Sequence, residues 1–75
     1  MNKPAVVTIE ISKFEKILSH IKDKDHFRKY IKKNDFTYEF NVEVSSILNN
    51  EIFTSLGNRI PVELIVAIYF PLEGA

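Results

Sequence analysis

The chain has 75 residues, no cysteine, and ten basic and ten acidic side chains that give a formal net charge of zero. This length predicts a single domain, residues 1–75, in which only about 60% of the surface of the unfolded chain can be buried. The lack of cysteine excludes a disulfide framework, and no apolar run reaches the roughly 18 residues of a membrane span, so we expect a cytoplasmic protein without a membrane anchor.

The first predicted elements are a strand and a helix. Residues 6–11 alternate between an apolar and a more polar face, which is typical of a half-buried strand. Ser12 and Glu15 then have the spacing of a capping box, in which two side chains bond to main-chain amides at the start of a helix. Four apolar side chains at helical spacing follow on one stripe: Phe14, Ile17, Leu18 and Ile21.

The stripe ends at the charged residues 22–25, where we predict a break between two helices, with one long bent helix as the alternative. Asp25 can cap a second short helix, and Asn34 can end it in the left-handed conformation. The inward-facing residues of that helix are then Phe27, Tyr30 and Ile31.

Two further strands are predicted in the second half of the chain. Residues 36–44 alternate apolar and polar side chains without interruption, and residues 60–70 are apolar on both faces, as expected of a central strand or of one buried at a subunit interface. Residues 45–56 allow two interpretations. We favour a short helix that ends at Gly57, and the alternative is a hairpin that turns at Asn49 and Asn50.

The order β-α-α-β-α-β predicts an α+β fold with a small three-stranded sheet that carries its helices on one face. The other face of such a sheet is bare, and a core of this size has neither disulfides nor metal to support it. We therefore predict a homodimer. Its interface would consist of one face of the last strand: Ile65, Ala67 and Tyr69.

Few residue types in the chain support catalysis, so we expect a protein that is not an enzyme and has neither a metal nor a cofactor. His20 and His26 are six residues apart and would point about 120° apart on a helix, which prevents a shared metal site. Two glycines are too few for a glycine-rich phosphate loop. Glu39 and Glu43 would lie about 13 Å apart along a strand, too far for the carboxylate pair of a hydrolase.

The neutral total charge hides an asymmetry between the two halves of the chain. Residues 1–34 carry nine basic and four acidic groups, and residues 35–75 carry one basic and six acidic groups. Carboxylates spaced along a rigid sheet can imitate the phosphates of DNA and occupy a basic groove, although they can also serve only to keep a sheet soluble. The candidate partner-binding residues are Asp35, Glu39, Glu43, Glu51 and Glu63.

A second candidate surface is basic. It would form one charged face of the second helix, with Tyr30 close enough to stack on a base. Its candidate nucleic-acid-binding residues are Arg28, Lys29, Lys32 and Lys33. The neutral total charge, the excess of lysine over arginine and the lack of a helix-turn-helix pattern argue against direct nucleic-acid binding and favour an ordinary solvated helix face.

The segment from Val7 to Leu18, in which a short strand leads directly into a capped helix, resembles the opening of many small proteins of phages that infect low-GC bacteria. That resemblance implies a host-takeover factor. Several kinds of these factors are small dimers that imitate DNA, such as inhibitors of sliding clamps, of uracil-DNA glycosylase or of nucleoid proteins. Because this chain is neutral overall, any such mimicry would be confined to its C-terminal half.

These observations lead to three hypotheses. The first, which the sequence favours, is a homodimeric, phage-like inhibitor in the host cytoplasm that presents its acidic face to the basic groove of a host DNA-handling protein. The second is a small nucleic-acid-binding or transcription-regulating module that uses the basic face. The third is a structural or adaptor subunit whose opposite charges bind neighbouring copies.

Overall fold

The computed structural model of the protein describes residues 2–71 and has the predicted α+β architecture. An antiparallel sheet carries two short helices on one face, but the described residues form six strands rather than the three expected. The elements are β1 (Lys3–Glu10), a first 3-10 turn (Ile11–Lys13), α1 (Phe14–Leu18), α2 (Lys24–Tyr30), β2 (Lys32–Lys33), β3 (Thr37–Leu48), β4 (Glu51–Thr54), β5 (Arg59–Pro61), a second 3-10 turn (Val62–Leu64) and β6 (Ala67–Tyr69).

The sheet is built around β3, in the order β5-β4-β3-β1-β6. One edge of β3 pairs with the whole of β1. The other edge pairs with β2 at Tyr38 and Glu39 and with β4 from Val44 onward. Between these two partners, residues 40–43 have no strand beside them within the described chain. We call this interruption the β3 gap.

The core lies between the helices and the inner face of the sheet. The inner-face residues Val7, Ile9 and Phe40 pack against the apolar stripe of α1 and against Phe27 of α2. A smaller cluster extends the core toward β4, with Ala5, Val44 and Ile52 at its centre. The stripe that the sequence predicts is thereby confirmed, with three of its four residues buried and Phe14 partly buried against them.

The first helix starts differently from the prediction. No capping box forms, because the chain passes from β1 into the first 3-10 turn and the Ser12 hydroxyl lies 3.4 Å from a Glu10 carboxylate oxygen instead. The predicted break between the helices is present, but Asp23 rather than Asp25 caps α2. Its carboxylate accepts a hydrogen bond of 3.0 Å from the main-chain N–H of His26.

The second helix also ends earlier than predicted. It stops at Tyr30, and Ile31 is already extended, so Tyr30 is exposed rather than inward-facing. Asn34 does not terminate a helix. Its main-chain N–H donates to the carbonyl of Thr37 at 2.8 Å and closes a β2–β3 hairpin whose tip is Asp35 and Phe36.

The segment 45–56 is a hairpin, so the favoured helix is wrong and the alternative is correct. Asn49 and Asn50 have φ angles of 51° and 61°, the pair of left-handed conformations that a tight turn between twisted antiparallel strands requires. Leu48, Ile52 and Leu56 have the spacing of one helix face, which favoured the helix, but Leu48 and Leu56 are exposed and only Ile52 enters the core.

The continuous last strand is also wrong. The chain forms β5 at one edge of the sheet, leaves it through the second 3-10 turn, and returns as β6 at the opposite edge. Both faces of this segment are apolar because the segment crosses the molecule and contacts the core at several points along its path, not because it is a central strand. Ile65, assigned to the dimer interface, instead packs partly buried against the core, whereas Ala67 and Tyr69 are exposed.

Candidate functional site

Four cationic side chains lie along one edge of the molecule, which we call the basic edge. Arg28 and Lys29 occupy the last turn of α2, and Lys32 and Lys33 form β2. They do not share a helix face as the sequence suggests, because the chain becomes extended directly after Tyr30. All four are exposed, and the one ion pair that they make with a described residue joins Arg28 to Asp25 at 3.9 Å. A solvent-exposed pair at that distance neutralises little charge.

Two exposed aromatic rings flank the basic edge. Tyr30 is 59% exposed, with the His26 ring 4.7 Å and the Lys29 ammonium 5.5 Å from its own ring. Phe36, at the tip of the β2–β3 hairpin, is 84% exposed. The alternation of residues 36–44 assigned Phe36 to the core, but the strand begins only at Thr37 and Phe36 lies in the exposed loop of the hairpin.

A groove runs from Tyr30 along the β3 gap. Its part nearest the basic edge has a volume of about 380 Å³, and its polar walls are His26, Tyr30, Lys32 and Asn41. A larger part, of about 620 Å³, continues past the turn between β4 and β5. The buried rings of Phe27 and Phe40 line both parts and give the groove an apolar floor.

The β3 gap presents main-chain hydrogen-bonding groups to this groove. The carbonyls of Thr37 and Glu43 accept bonds from Asn34 and Ser55, which shows that the odd-numbered residues of β3 direct their main-chain groups away from β1. Asn41 follows the same alternation. No described strand or turn supplies a partner for its N–H and C=O, so both point into the groove.

The five carboxylates assigned to the acidic surface are not brought together. Asp35 lies at the hairpin tip, Glu63 in the second 3-10 turn, and Glu51 on β4, where it accepts a 2.8 Å hydrogen bond from Arg59. Glu39 and Glu43 do share the outer face of the sheet, but Glu39 lies directly opposite Lys32. These pairings reduce the negative potential that the sequence suggests.

The outer face of the sheet holds a further carboxylate that the sequence analysis missed. Glu10 is on the same face as Glu39 and Glu43, because β1 and β3 pair in register from Glu10 opposite Thr37 to Pro4 opposite Glu43. The alternation of residues 6–11 already places Glu10 on the polar face of its strand. An apolar strip lies beside these carboxylates, where Tyr69 pairs with Val6 and Ala67 with Thr8.

The described residues include no cluster of side chains that could hold a metal ion. His20 and His26 are exposed on separate segments, and no group of three or more His, Cys, Asp or Glu side chains converges within residues 2–71. None of the helices in that range is long and apolar enough to cross a membrane. Comparison with known proteins adds no relative to this picture: no family model, no curated protein and no solved structure matches the chain.

Proposed function

We propose that this chain is a non-enzymatic nucleic-acid-binding module that holds the phosphate backbone on its basic edge. The observation that carries the proposal is the arrangement of Lys29, Lys32 and Lys33 with Arg28 beside two exposed aromatic rings. Isolated apolar residues on a surface are common and need no explanation. Cations interleaved with exposed rings are the combination by which proteins hold nucleic-acid strands.

The neutral total charge does not oppose this function. Residues 24–36 carry five basic and two acidic groups, a local net charge of +3. Adding Glu39, which lies directly opposite Lys32, lowers this local net charge to +2, and carboxylates farther away than the Debye length of about 8 Å at physiological salt do little to cancel it. The excess of lysine over arginine favours contacts to phosphate charge over bidentate readout of bases, and we expect weak dependence on sequence.

Fluorescence anisotropy with labelled DNA at low salt tests the proposal. The charge reversal Lys29→Glu with Lys33→Glu should weaken binding at least about tenfold. It should also make the slope of log affinity against log salt concentration shallower by roughly 0.7 to 0.9 for each phosphate contact that is lost. Lys3→Glu with Lys16→Glu is the matched control, because it changes the net charge equally at two exposed residues that line neither part of the groove. Equal losses in both double variants would show only a general charge effect and would contradict a localised site.

A second candidate function uses the outer face of the sheet. Glu10, Glu39 and Glu43 share that face with the apolar strip at Tyr69, which favours a basic protein partner and keeps open the hypothesis of a phage-like inhibitor that imitates DNA. Under this hypothesis, Glu39→Lys with Glu43→Lys should abolish capture of a bacterial partner that duplex DNA displaces. The double change to Gln should have a smaller effect. Persistent capture by the folded Lys variant would rule out mimicry through this face.

A further inference from the structure

We infer that the ligand of the basic edge is a single strand of nucleic acid, with one base stacked on Phe36 and another inserted beside Tyr30 into the groove at the β3 gap. This inference rests on the proposed function and names its ligand. Three independent features support a single strand over a duplex: the exposed rings, the main-chain groups at the gap and the shape of the basic edge.

The exposed rings require unpaired bases. The faces of bases in a duplex are covered by their neighbours, whereas a single strand can splay its bases onto aromatic side chains. Phe36 is exposed at the hairpin tip, three residues after Lys33, so a strand whose phosphates follow β2 can place a base over its ring. The His26 ring and the Lys29 ammonium pack against the Tyr30 ring, and such contacts reduce the entropy that the ring would lose on stacking.

The β3 gap supplies hydrogen bonds that only an unpaired base can use. Asn41 presents one main-chain donor and one main-chain acceptor to a groove whose floor is apolar. The Watson–Crick edge of a base also presents donors and acceptors in a plane, and in a single strand this edge is free. Main-chain groups of one fixed residue thus complement a base inserted between Tyr30 and Lys32, without needing a particular side chain.

The shape of the basic edge does not fit the major groove of a duplex. A helix that reads that groove presents a continuous row of side chains, but α2 has seven residues and is only about 10 Å long. Two of the four cations leave the helix and follow β2 instead. They extend the positive charge past Tyr30 toward the hairpin tip, with Lys32 on the outer face of the sheet and Lys33 on the inner face, where a flexible single strand can follow them.

The test compares an oligothymidylate and an oligouridylate of about 15 nucleotides with a duplex of the same length, under the low-salt conditions used above. We expect at least about tenfold tighter binding of the single strands and quenching of tyrosine fluorescence when they bind. Phe36→Leu and Tyr30→Leu keep an apolar side chain but remove the ring, and each should weaken single-strand binding about tenfold. Leu48→Ala, an exposed apolar change at the other hairpin tip, is the control and should have no effect.

The outcomes separate this inference from the function on which it rests. Equal affinity for duplex and single strand, or binding that Phe36→Leu and Tyr30→Leu leave unchanged, would overturn the single-strand inference and leave the electrostatic module standing. Failure of every oligonucleotide to bind at low salt would overturn both. Binding to vesicles of phosphatidylcholine and phosphatidylserine in place of oligonucleotides would assign the rings to a membrane surface and also reject both.

Discussion

The side chain of Asn58 accepts a hydrogen bond of 2.9 Å from the main-chain N–H of Lys22, which lies 36 residues earlier in the chain. Asn58 itself is buried, and its main-chain N–H donates to the Thr54 hydroxyl at 3.1 Å. The contact therefore ties the segment between the two helices to the turn between β4 and β5. It joins the helix layer to the β4–β5 strand pair, which lies across the β3 gap from β2.

Replacing Asn58 should destabilise the fold measurably. Asn58→Ala leaves the N–H of Lys22 without its partner in a partly buried position, and we expect a loss of about 1–3 kcal/mol in the free energy of unfolding. Urea denaturation followed by circular dichroism measures it. Asn34→Ala is the control, since that exposed residue uses only its main chain in hydrogen bonding, and it should change stability by about 0.5 kcal/mol or less. Similar values for both variants would contradict a structural role for the Asn58 side chain.

Substitutions in the β3–β4 turn should change stability in a direction that depends on the conformation of Asn50. Asn50 has a φ of 61°, where glycine is favoured, so Asn50→Gly should raise stability by about 0.5 kcal/mol. Asn50→Val should lower it by roughly 1–2 kcal/mol, because a branched side chain is strained in that conformation. Thermal denaturation of the two variants provides the measurement. A destabilising Asn50→Gly would instead be the response of a helix, in which glycine costs about 1 kcal/mol.

The homodimer remains a prediction, now limited to the apolar strip of the outer face. Tyr69 is 64% exposed beside Val6 in the neighbouring strand, and Ala67 is exposed next to it. If a second copy covers this strip, Tyr69→Glu should convert the protein to a monomer in sedimentation equilibrium and remove the dependence of its melting temperature on concentration. Phe36→Glu, at the far hairpin tip, should leave the assembly unchanged. A wild-type protein that sediments as a monomer at micromolar concentration would exclude the dimer.

The sequence correctly predicted the elements that bury a single face. Residues 6–10, the stripe of α1 and most of the strand at residues 36–44 each follow the period of their element and pack as expected, whereas Ile11 is exposed in the first 3-10 turn. Phe36 is the exception in its strand. Its position satisfied the alternation, but whether a terminal residue of a pattern reaches the core depends on where the hairpin turns.

The sequence did not predict the path of a segment that contacts the core at both edges of the sheet. Residues 60–70 contact the core at Ile60, cross to the other edge of the sheet and contact it again at Ile68, so their composition resembles that of a buried strand. The sequence predicted only part of the basic edge. It grouped the four cations correctly, because they are close in sequence whichever element they occupy. The exposure of Tyr30 and the groove beside it depend on the end of α2 at Tyr30, which no residue type in the sequence marks.

The β3 gap makes one position in the middle of the sheet permissive for proline. Asn41 gives no main-chain N–H to a neighbouring strand, whereas the next residue, Val42, belongs to the set that bonds to β1. Asn41→Pro should therefore change stability by about 1 kcal/mol or less, while Val42→Pro should unfold the domain. Amide hydrogen exchange gives the same contrast without mutation, with fast exchange at Asn41 and slow exchange at Phe40 and Val42. At Asn41, a strand in the middle of the sheet thus has unpaired main-chain groups like those of an edge strand.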